Sequence, residues 1–209
     1  MSAGSSSSPR RRRAPAADRR QRDAERSRQR LLAAALDEFS ERGYAGARVG
    51  SIAARAGVNP QLITYYFGGK RGLYDALSRR WLEQEAGIAE GEATLAELAV
   101  GYLRATLEDP RLARLFLWDG LTGGAVVEEP EDLSDLQRRQ AGGEIAADLD
   151  PGMFQLALMG AILAPVALPQ VARRLTGLDP ADPGFEDAYA DQLRRMVARL
   201  GGQERPSAP

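Results

Sequence analysis

The sequence contains no cysteine and no histidine among its 209 residues. The missing cysteines exclude disulfide bonds, thiolate zinc sites and cysteine nucleophiles. The missing histidines remove the commonest general base and one of the usual ligands of transition metals. Most hydrolase and metalloenzyme classes therefore lose their central residues, and we expect no catalytic site, no bound metal and no cofactor.

Long apolar runs are also scarce. The most hydrophobic segment, Met153 to Leu168, contains Pro165 and is shorter than the roughly 20 residues that cross a bilayer. The N-terminus is rich in serine and then in arginine, without the apolar core of a signal peptide. We therefore expect a cytoplasmic protein with no membrane contact, in which the apolar segment is a buried helix.

Charge is divided unevenly along the chain. Residues 1–70 carry 13 arginines and one lysine against six acidic residues, whereas residues 71–209 carry 14 arginines against 23 acidic residues. A basic first third beside an acidic remainder indicates a polyanionic partner for the first third only. The abundance of Ala, Leu, Arg and Glu, with only 6% aromatic residues, favours an all-helical fold.

Apolar periodicity predicts about nine helices. Residues 1–20 lack such periodicity and are expected to form a disordered, arginine-rich arm, and residues 203–209 a disordered tail. Helices are expected near residues 22–42, 49–56, 60–67, 70–86, from 94, 110–118, 131–146, 151–163 and 184–200. We expect a helix-turn-helix domain over residues 21–69 and a second helical domain over residues 70–202.

The helix-turn-helix prediction rests on two short helices joined by a tight turn. Gly57 permits the positive φ of the turn, Asn59 can cap the second short helix, and Pro60 fits its first position. A longer helix precedes the pair and can cover it. This is the arrangement of helix-turn-helix proteins.

The outward residues of the second short helix are polar or aromatic in a chain built mainly of Ala and Leu. If Ile63 and Phe67 face the core, the other side presents Pro60, Gln61, Leu62, Thr64, Tyr65 and Tyr66. Glutamine can pair with adenine, threonine can contact base edges and tyrosine can bond to phosphate. Lys70 begins the next helix, where its ammonium and the helix N-terminus both favour phosphate. The neighbouring basic charge favours this interpretation over the alternative that both tyrosines are core residues.

Residues 24–81, and above all the segment IAARAGVNPQLITYYFGGKRGLY, resemble the DNA-binding domain of tetracycline-repressor-like (TetR family) transcriptional regulators. The resemblance implies a nine-helix homodimer that pairs through its last two helices and binds double-stranded operator DNA and a small-molecule effector. It implies DNA contacts from Arg48, Pro60, Gln61, Leu62, Thr64, Tyr65, Tyr66 and Lys70. Ala47 and Arg48 stand where the family usually has threonine, so an arginine replaces a hydroxyl there.

The family binds effectors among the helices of the second domain. The resemblance therefore implies pocket walls from Leu98, Tyr102, Phe116, Trp118 and Met159, with Trp118 foremost because Asp119 and a glycine-rich loop follow it. Ordinary core packing is the alternative, because each residue is apolar and at helical spacing. The acidic residues Glu128, Glu129, Glu131 and Asp132 are expected to be a solvated surface.

The arginine run Arg10, Arg11, Arg12 and Arg13 is expected to contact DNA beside the operator, although a solubilising tail explains it equally well. The leading functional hypothesis is a repressor released from its operator by a small molecule. Two alternatives remain open. One is a regulator of the same fold without ligand response, either an activator or an architectural protein, and the other is an enzyme restricted to Asp, Glu and Tyr chemistry.

Overall fold

The computed structural model describes residues 16–89, 93–123 and 131–200, and the side chains of residues 16–19 and 81–89 lie outside this description. The described residues form ten α-helices and contain no β-strand. The helices are α1 Ala16–Gly46, α2 Val49–Ala56, α3 Gln61–Phe67, α4 Lys70–Ala89, α5 Leu95–Glu108, α6 Pro110–Thr122, α7 Ser134–Ala141, α8 Pro151–Ala167, α9 Pro169–Thr176 and α10 Pro183–Leu200. The expected all-helical fold is confirmed, with one helix more than the nine that were expected.

The N-terminal core lies between α1, α2, α3, the first half of α4 and one face of α6. Its fully buried side chains are Leu31, Ala35, Phe39, Ile52, Ala53, Ile63, Leu73 and Leu77. Burial of a Leu or Ile side chain contributes roughly 1.5–3 kcal/mol. Helices as short as α2 and α3 are not stable alone, so this core is what holds them in place.

Two glycines with positive φ determine the path of the chain around this core. Gly43 has φ 65° and ψ 174° and interrupts α1 at the predicted position. Gly57 has φ 63° and ψ 40° and ends α2, with its N–H directed at carbonyl groups of the last turn. Residues with a Cβ adopt such angles only at a cost, so glycine sets both boundaries.

The start of α1 differs from the prediction. The helix begins at Ala16, not near Arg22, and so includes the last residues of the segment that was expected to be a disordered arm. Residues 20–30 are mostly exposed, and the buried apolar face begins at Leu31. Apolar periodicity could not predict this first part, because it has no core face.

The C-terminal core is formed by α5, α8 and α10 together with Ile145. Its best-buried side chains are Ala99, Val100, Leu103, Ala190, Leu193 and Val197, and Phe154 of α8 is buried as well. A capping box begins α5, since the Glu97 N–H donates to Thr94 Oγ1 (3.3 Å) and the Thr94 N–H donates to Glu97 Oε2 (2.8 Å). Glu144 Oε2 also accepts the Leu95 N–H at 2.7 Å, which ties the loop after α7 to this helix end.

Several boundaries in the C-terminal half also differ from the prediction. α6 continues past Trp118 to Thr122 and ends at Gly123 with φ 70°, whereas α7 is shorter than predicted because Gly142 and Gly143 follow it. Pro165 lies inside α8, and the unpredicted α9 begins at Pro169. Proline has no backbone N–H, and the first position of a helix makes no intrahelical hydrogen bond through that group. The two helices meet at a bend of 91°.

No single helix in the described ranges is long and apolar enough to cross a membrane, and the bent pair of α8 and α9 meets that test only jointly, by length and composition.

α6 connects the two cores. Leu112 and Leu115 are buried in the N-terminal core, and the same helix packs against α5 and α8. Leu73 and Leu77 of α4 also lie in the N-terminal core. Residues beyond the predicted domain boundary at residue 70 therefore complete the core that supports the helix-turn-helix.

Candidate nucleic-acid interface

Local backbone geometry fixes the direction of α3. Asn59 Oδ1 accepts the Gln61 N–H at 2.9 Å, which caps the helix as the sequence predicted, although Pro60 already has helical angles. At the other end, Gly68 has φ 72°. A Cβ added at Gly72 would lie 1.8 Å from the Phe67 carbonyl oxygen, so only glycine allows α4 to pass this close to the end of α3.

The outer side of α3 is a polar surface. Ile63 is fully buried, while Pro60, Gln61, Thr64 and Tyr65 are exposed, Tyr65 by 78%. We call these four residues the reading face. Leu62 and Tyr66 are half-buried and pack against the N-terminal core, so they border the reading face and are less free than the sequence indicated. Phe67, expected to face the core, is half-buried as well.

Aromatic contacts continue from the reading face to the end of α3. The Tyr65 and Tyr66 rings meet edge to face with centroids 5.0 Å apart, and Tyr66 meets Phe67 at 6.3 Å. The Arg28 guanidinium of α1 lies over the Phe67 ring, 5.5 Å from its centroid. Sequence reasoning missed Arg28, because no local pattern relates it to a residue 39 positions later.

Lys70 is held beside the last residues of α1, after the kink at Gly43. Its Nζ lies 4.7 Å from the centroid of the Tyr44 ring and 3.4 Å from the Ala45 carbonyl oxygen. Tyr44 is itself packed against Phe39 and Tyr74 of the core. An ammonium has three N–H donors, so Lys70 can keep this position and still donate to a phosphate.

A buried carboxylate supports the start of α2. Glu38 is only 1% exposed, and its Oε1 lies 3.4 Å from the Arg48 backbone nitrogen and 3.6 Å from Arg42 Nε. The Arg48 residue that precedes α2 has no side-chain cap of its own. Its side chain is exposed and has no ion pair among the described residues, which leaves it accessible to an anion.

Other basic residues of this region are engaged internally. Arg55 donates to both carboxylate oxygens of Glu41, at 2.9 and 3.0 Å. This hydrogen bonding lowers the pKa of Glu41 and raises the pKa of Arg55. Arg26 pairs with Asp23. The basic excess of the first third is therefore presented by a subset of its arginines and by Lys70.

Comparison with known proteins agrees with this geometry. Residues 31–77 match the family model described as "Bacterial regulatory proteins, tetR family". The HTH-type transcriptional repressor SCO4008 of Streptomyces coelicolor is 30% identical over 193 residues, which cover 85% of this chain and 98% of that protein. The chain belongs to the TetR family. It is a helix-turn-helix transcriptional regulator, which confirms the family and the DNA-binding function expected from the sequence.

Solved structures share the fold of this TetR-family regulator. The crystal structure of SCO4942 from Streptomyces coelicolor gives a TM-score of 0.66 at 24% identity and covers 81% of this chain and 97% of that one. A γ-butyrolactone receptor, an ArpA-like protein, gives 0.56 at 22% identity and covers 84% of this chain and 98% of that one. At these identities the likeness concerns the fold.

The residues predicted to line an effector pocket occupy different environments in the regulator. Leu98, Tyr102 and Met159 are half-buried, and Tyr102 packs against the C-terminal core. Phe116 is 48% exposed and Trp118 is 38% exposed. A Cβ on Gly43 would meet two Trp118 ring atoms at 3.2 Å, so the indole lies on the backbone of α1. Trp118 thus contacts the DNA-binding half of the molecule, a contact that the sequence did not indicate.

The remaining predicted site residues are exposed or lie outside the described residues. Arg10, Arg11, Arg12, Arg13, Glu128 and Glu129 lie outside the described residues. Glu131 and Asp132 are exposed, and Asp132 accepts the Ser134 N–H at 2.9 Å at the start of α7. Within the described ranges there is no group of acidic residues arranged to hold a metal ion.

Proposed function

We propose that this TetR-family regulator is a repressor that binds a two-fold symmetric operator as a homodimer and leaves it when a small molecule binds. The proposal rests on the reading face. It presents Gln61, Thr64 and Tyr65 to solvent from a helix fixed at both ends, with Lys70 and Arg48 beside it. Glutamine and threonine suit base edges, and the two cations suit phosphates. The similarity to the repressor SCO4008 supports the repressing role.

We propose the full set of DNA contacts as Arg48, Pro60, Gln61, Leu62, Thr64, Tyr65, Tyr66 and Lys70, with the partly packed Leu62 and Tyr66 contributing the edges of their side chains. Contacts from Arg10 to Arg13 to the flanking DNA remain a prediction.

The homodimer is supported by apolar side chains left exposed on α8 and α10. Met153 and Leu156 of α8 are 71% and 65% exposed, and Met196 and Leu200 of α10 are 55% and 44% exposed. Exposed apolar rows of this kind are typical of protein interfaces. Since α9 lies between them in the chain, the pair expected as the last two helices corresponds to α8 and α10. Two copies would place two reading faces on half-sites about 34–36 Å apart.

The effector response is supported by the contacts that α6 makes on the helix-turn-helix side. Arg111 Nη1 donates to Asp37 Oδ1 of α1 at 2.7 Å, and Trp118 lies on Gly43. Burial and then the Asp119 carboxylate of α6 raise the pKa of Tyr74 of α4. α6 packs on α5 and α8 as well, so a ligand among those helices would move α6 and with it α1 and α4. That a receptor of γ-butyrolactone has this fold supports a small-molecule response.

Selection from a random duplex library tests the proposal. The purified protein is expected to enrich one two-fold symmetric sequence, and Gln61→Ala is expected to alter the enriched base at one position of each half-site. Gln137→Ala, an exposed glutamine on α7, is the matched control and should enrich the parent sequence. Enrichment of no sequence by the parent protein would contradict the proposal.

A further inference from the structure

We infer that Arg28 of α1 is an additional DNA-backbone contact, lying outside the α2–α3 pair and held in place by Phe67, the last residue of α3. This inference rests on the proposed operator binding. The contact would be made to a phosphate next to the bases that the reading face contacts.

The position of the guanidinium is set by Phe67. Its central carbon lies 5.5 Å from the centroid of the Phe67 ring, and Phe67 ends α3. A guanidinium stacked on an aromatic ring keeps its N–H donors at the edge of the stack, where they can bond to phosphate oxygens. Lys70 begins α4 only three positions after Phe67, so Arg28 is at the same end of α3 as the predicted phosphate contact of α4.

The positive charge of Arg28 is not neutralised by a carboxylate of the described residues. Neighbouring arginines pair with carboxylates, namely Arg26 with Asp23, Arg42 with Glu38 and Arg55 with Glu41. Over the described part of the chain, Arg28 has no ion pair, and its contact is the uncharged Phe67 ring. A half-buried cation with no carboxylate, placed beside a helix that contacts DNA bases, matches what a phosphate contact requires.

The backbone under Arg28 is firmly held. Leu31, one turn later on the same helix, is fully buried in the N-terminal core, and α1 continues from there back to Ala16. At roughly 1.5 Å per residue the part before Leu31 is about 20 Å long. Arg28 lies where this extension leaves the core, so its guanidinium is presented by a helix and not by a loop.

Operator affinity across a salt series tests the inference, with Arg28→Ala compared with Arg30→Ala. Arg30 is exposed, has no ion pair among the described residues and lies two positions on, across the helix, so both variants lose one positive charge. Arg28→Ala is expected to weaken operator binding roughly 3- to 10-fold and to lower the slope of log K against log salt by about 1.8, because each dimer loses two phosphate contacts. Arg30→Ala is expected to keep nearly the parent affinity and slope.

Arg28→Met separates charge from packing, because it covers Phe67 without a charge. It is expected to lose as much affinity as Arg28→Ala. Recovery of parent affinity by Arg28→Met, an unchanged salt slope in Arg28→Ala, or equal effects of the Arg28 and Arg30 variants would each overturn the inference. Failure of the parent protein to bind any selected operator would instead contradict the proposed function.

Discussion

Gln61 and Lys70 are adjacent to the same helix end but would contact different parts of the DNA. Gln61 is exposed on α3 and can form paired hydrogen bonds with one base, whereas Lys70 is held by Tyr44 and Ala45 and would contact phosphate. Loss of a base contact affects one sequence, while loss of a phosphate contact affects all sequences. The two residues therefore differ in specificity even if they contribute similar affinity.

Gln61→Ala is expected to cost about 1–3 kcal/mol per half-site on the selected operator and to relax preference at one base pair of each half-site, whereas Lys70→Ala should weaken operator and random duplex about equally. Fluorescence anisotropy with both duplexes at fixed salt measures this, with Gln137→Ala as the control. Equal losses on both duplexes for both variants would show that the roles are wrongly assigned.

The reading face could be predicted because it depends on residues that are close together in the sequence. The glycine at position 57, the Asn59–Pro60 start and the spacing of Ile63 determine which side of α3 is outward, and the structure has these features. Arg28 and Trp118 could not be predicted in their observed places. Their positions depend on how α1 meets α3 and how α6 meets α1, and these contacts join distant parts of the chain.

At the level of elements, prolines explain the misplaced boundary between α8 and α9. Pro165 is accommodated inside α8, whereas Pro169 begins α9. A proline at the first helical position loses no hydrogen bond, so the same residue can end one helix or start the next. Whether a proline ends a helix or starts the next one depends on the bend between the two helices. Packing determines that bend.

The contact of α6 with α1 gives an element-scale prediction. Gly43 has φ 65° and ψ 174°, a region that is nearly restricted to glycine, and a Cβ there would meet the Trp118 ring at 3.2 Å. Gly43→Ala is expected to lower the free energy of unfolding by about 1–3 kcal/mol from the backbone alone, and by more because of the ring. Urea unfolding measures the loss.

A double-mutant cycle isolates the ring contact. Gly43→Ala should cost less in a Trp118→Ala background, because the clash is gone. Gly50→Ala is the control, since a Cβ at that helical position meets nothing within 4 Å. The same cost of Gly43→Ala in both backgrounds would mean that the stability of α1 does not depend on Trp118.

In the presence of an effector, Trp118→Ala should also show a weaker release from DNA at nearly unchanged basal affinity.

At the scale of the whole molecule, the basic first third and the acidic remainder are joined in one chain, and pairing of two chains is expected to use the acidic part. Leu156→Glu on α8 should shift the dimer toward monomer, because it places a charge among the exposed apolar side chains that the proposed dimer would bury. Leu121→Glu is the control, since Leu121 is 82% exposed on α6. Size-exclusion chromatography with light scattering measures both, and a monomeric parent protein, free and on DNA, would contradict the homodimer.

The absence of histidine makes stability nearly independent of pH between about 5.5 and 7.5, because no side chain has an ordinary pKa there. The hydrogen bond from Arg111 lowers the pKa of Asp109, so the folded state binds this proton less readily than the unfolded state. That stabilisation is present above the ordinary carboxyl pKa of about 4 and is lost as the pH falls through the folded value. The raised pKa of Tyr74 acts oppositely, and its contribution is lost above about pH 10.

Urea unfolding at a series of pH values measures this profile. A flat region bounded by an acidic and an alkaline loss is expected. A transition between pH 6 and 7 would contradict it, since no group with that pKa is assigned.

The central claim is that the surface formed by the reading face and the start of α4 contacts the operator. Lys70 is the one lysine in the sequence, so amine acetylation followed by mass spectrometry reports on this position directly, with the N-terminal amine as an internal reference. Saturating operator duplex is predicted to slow acetylation of Lys70 strongly relative to the free protein. An acetylation rate at Lys70 that is the same in the operator complex and in the free protein would contradict the account.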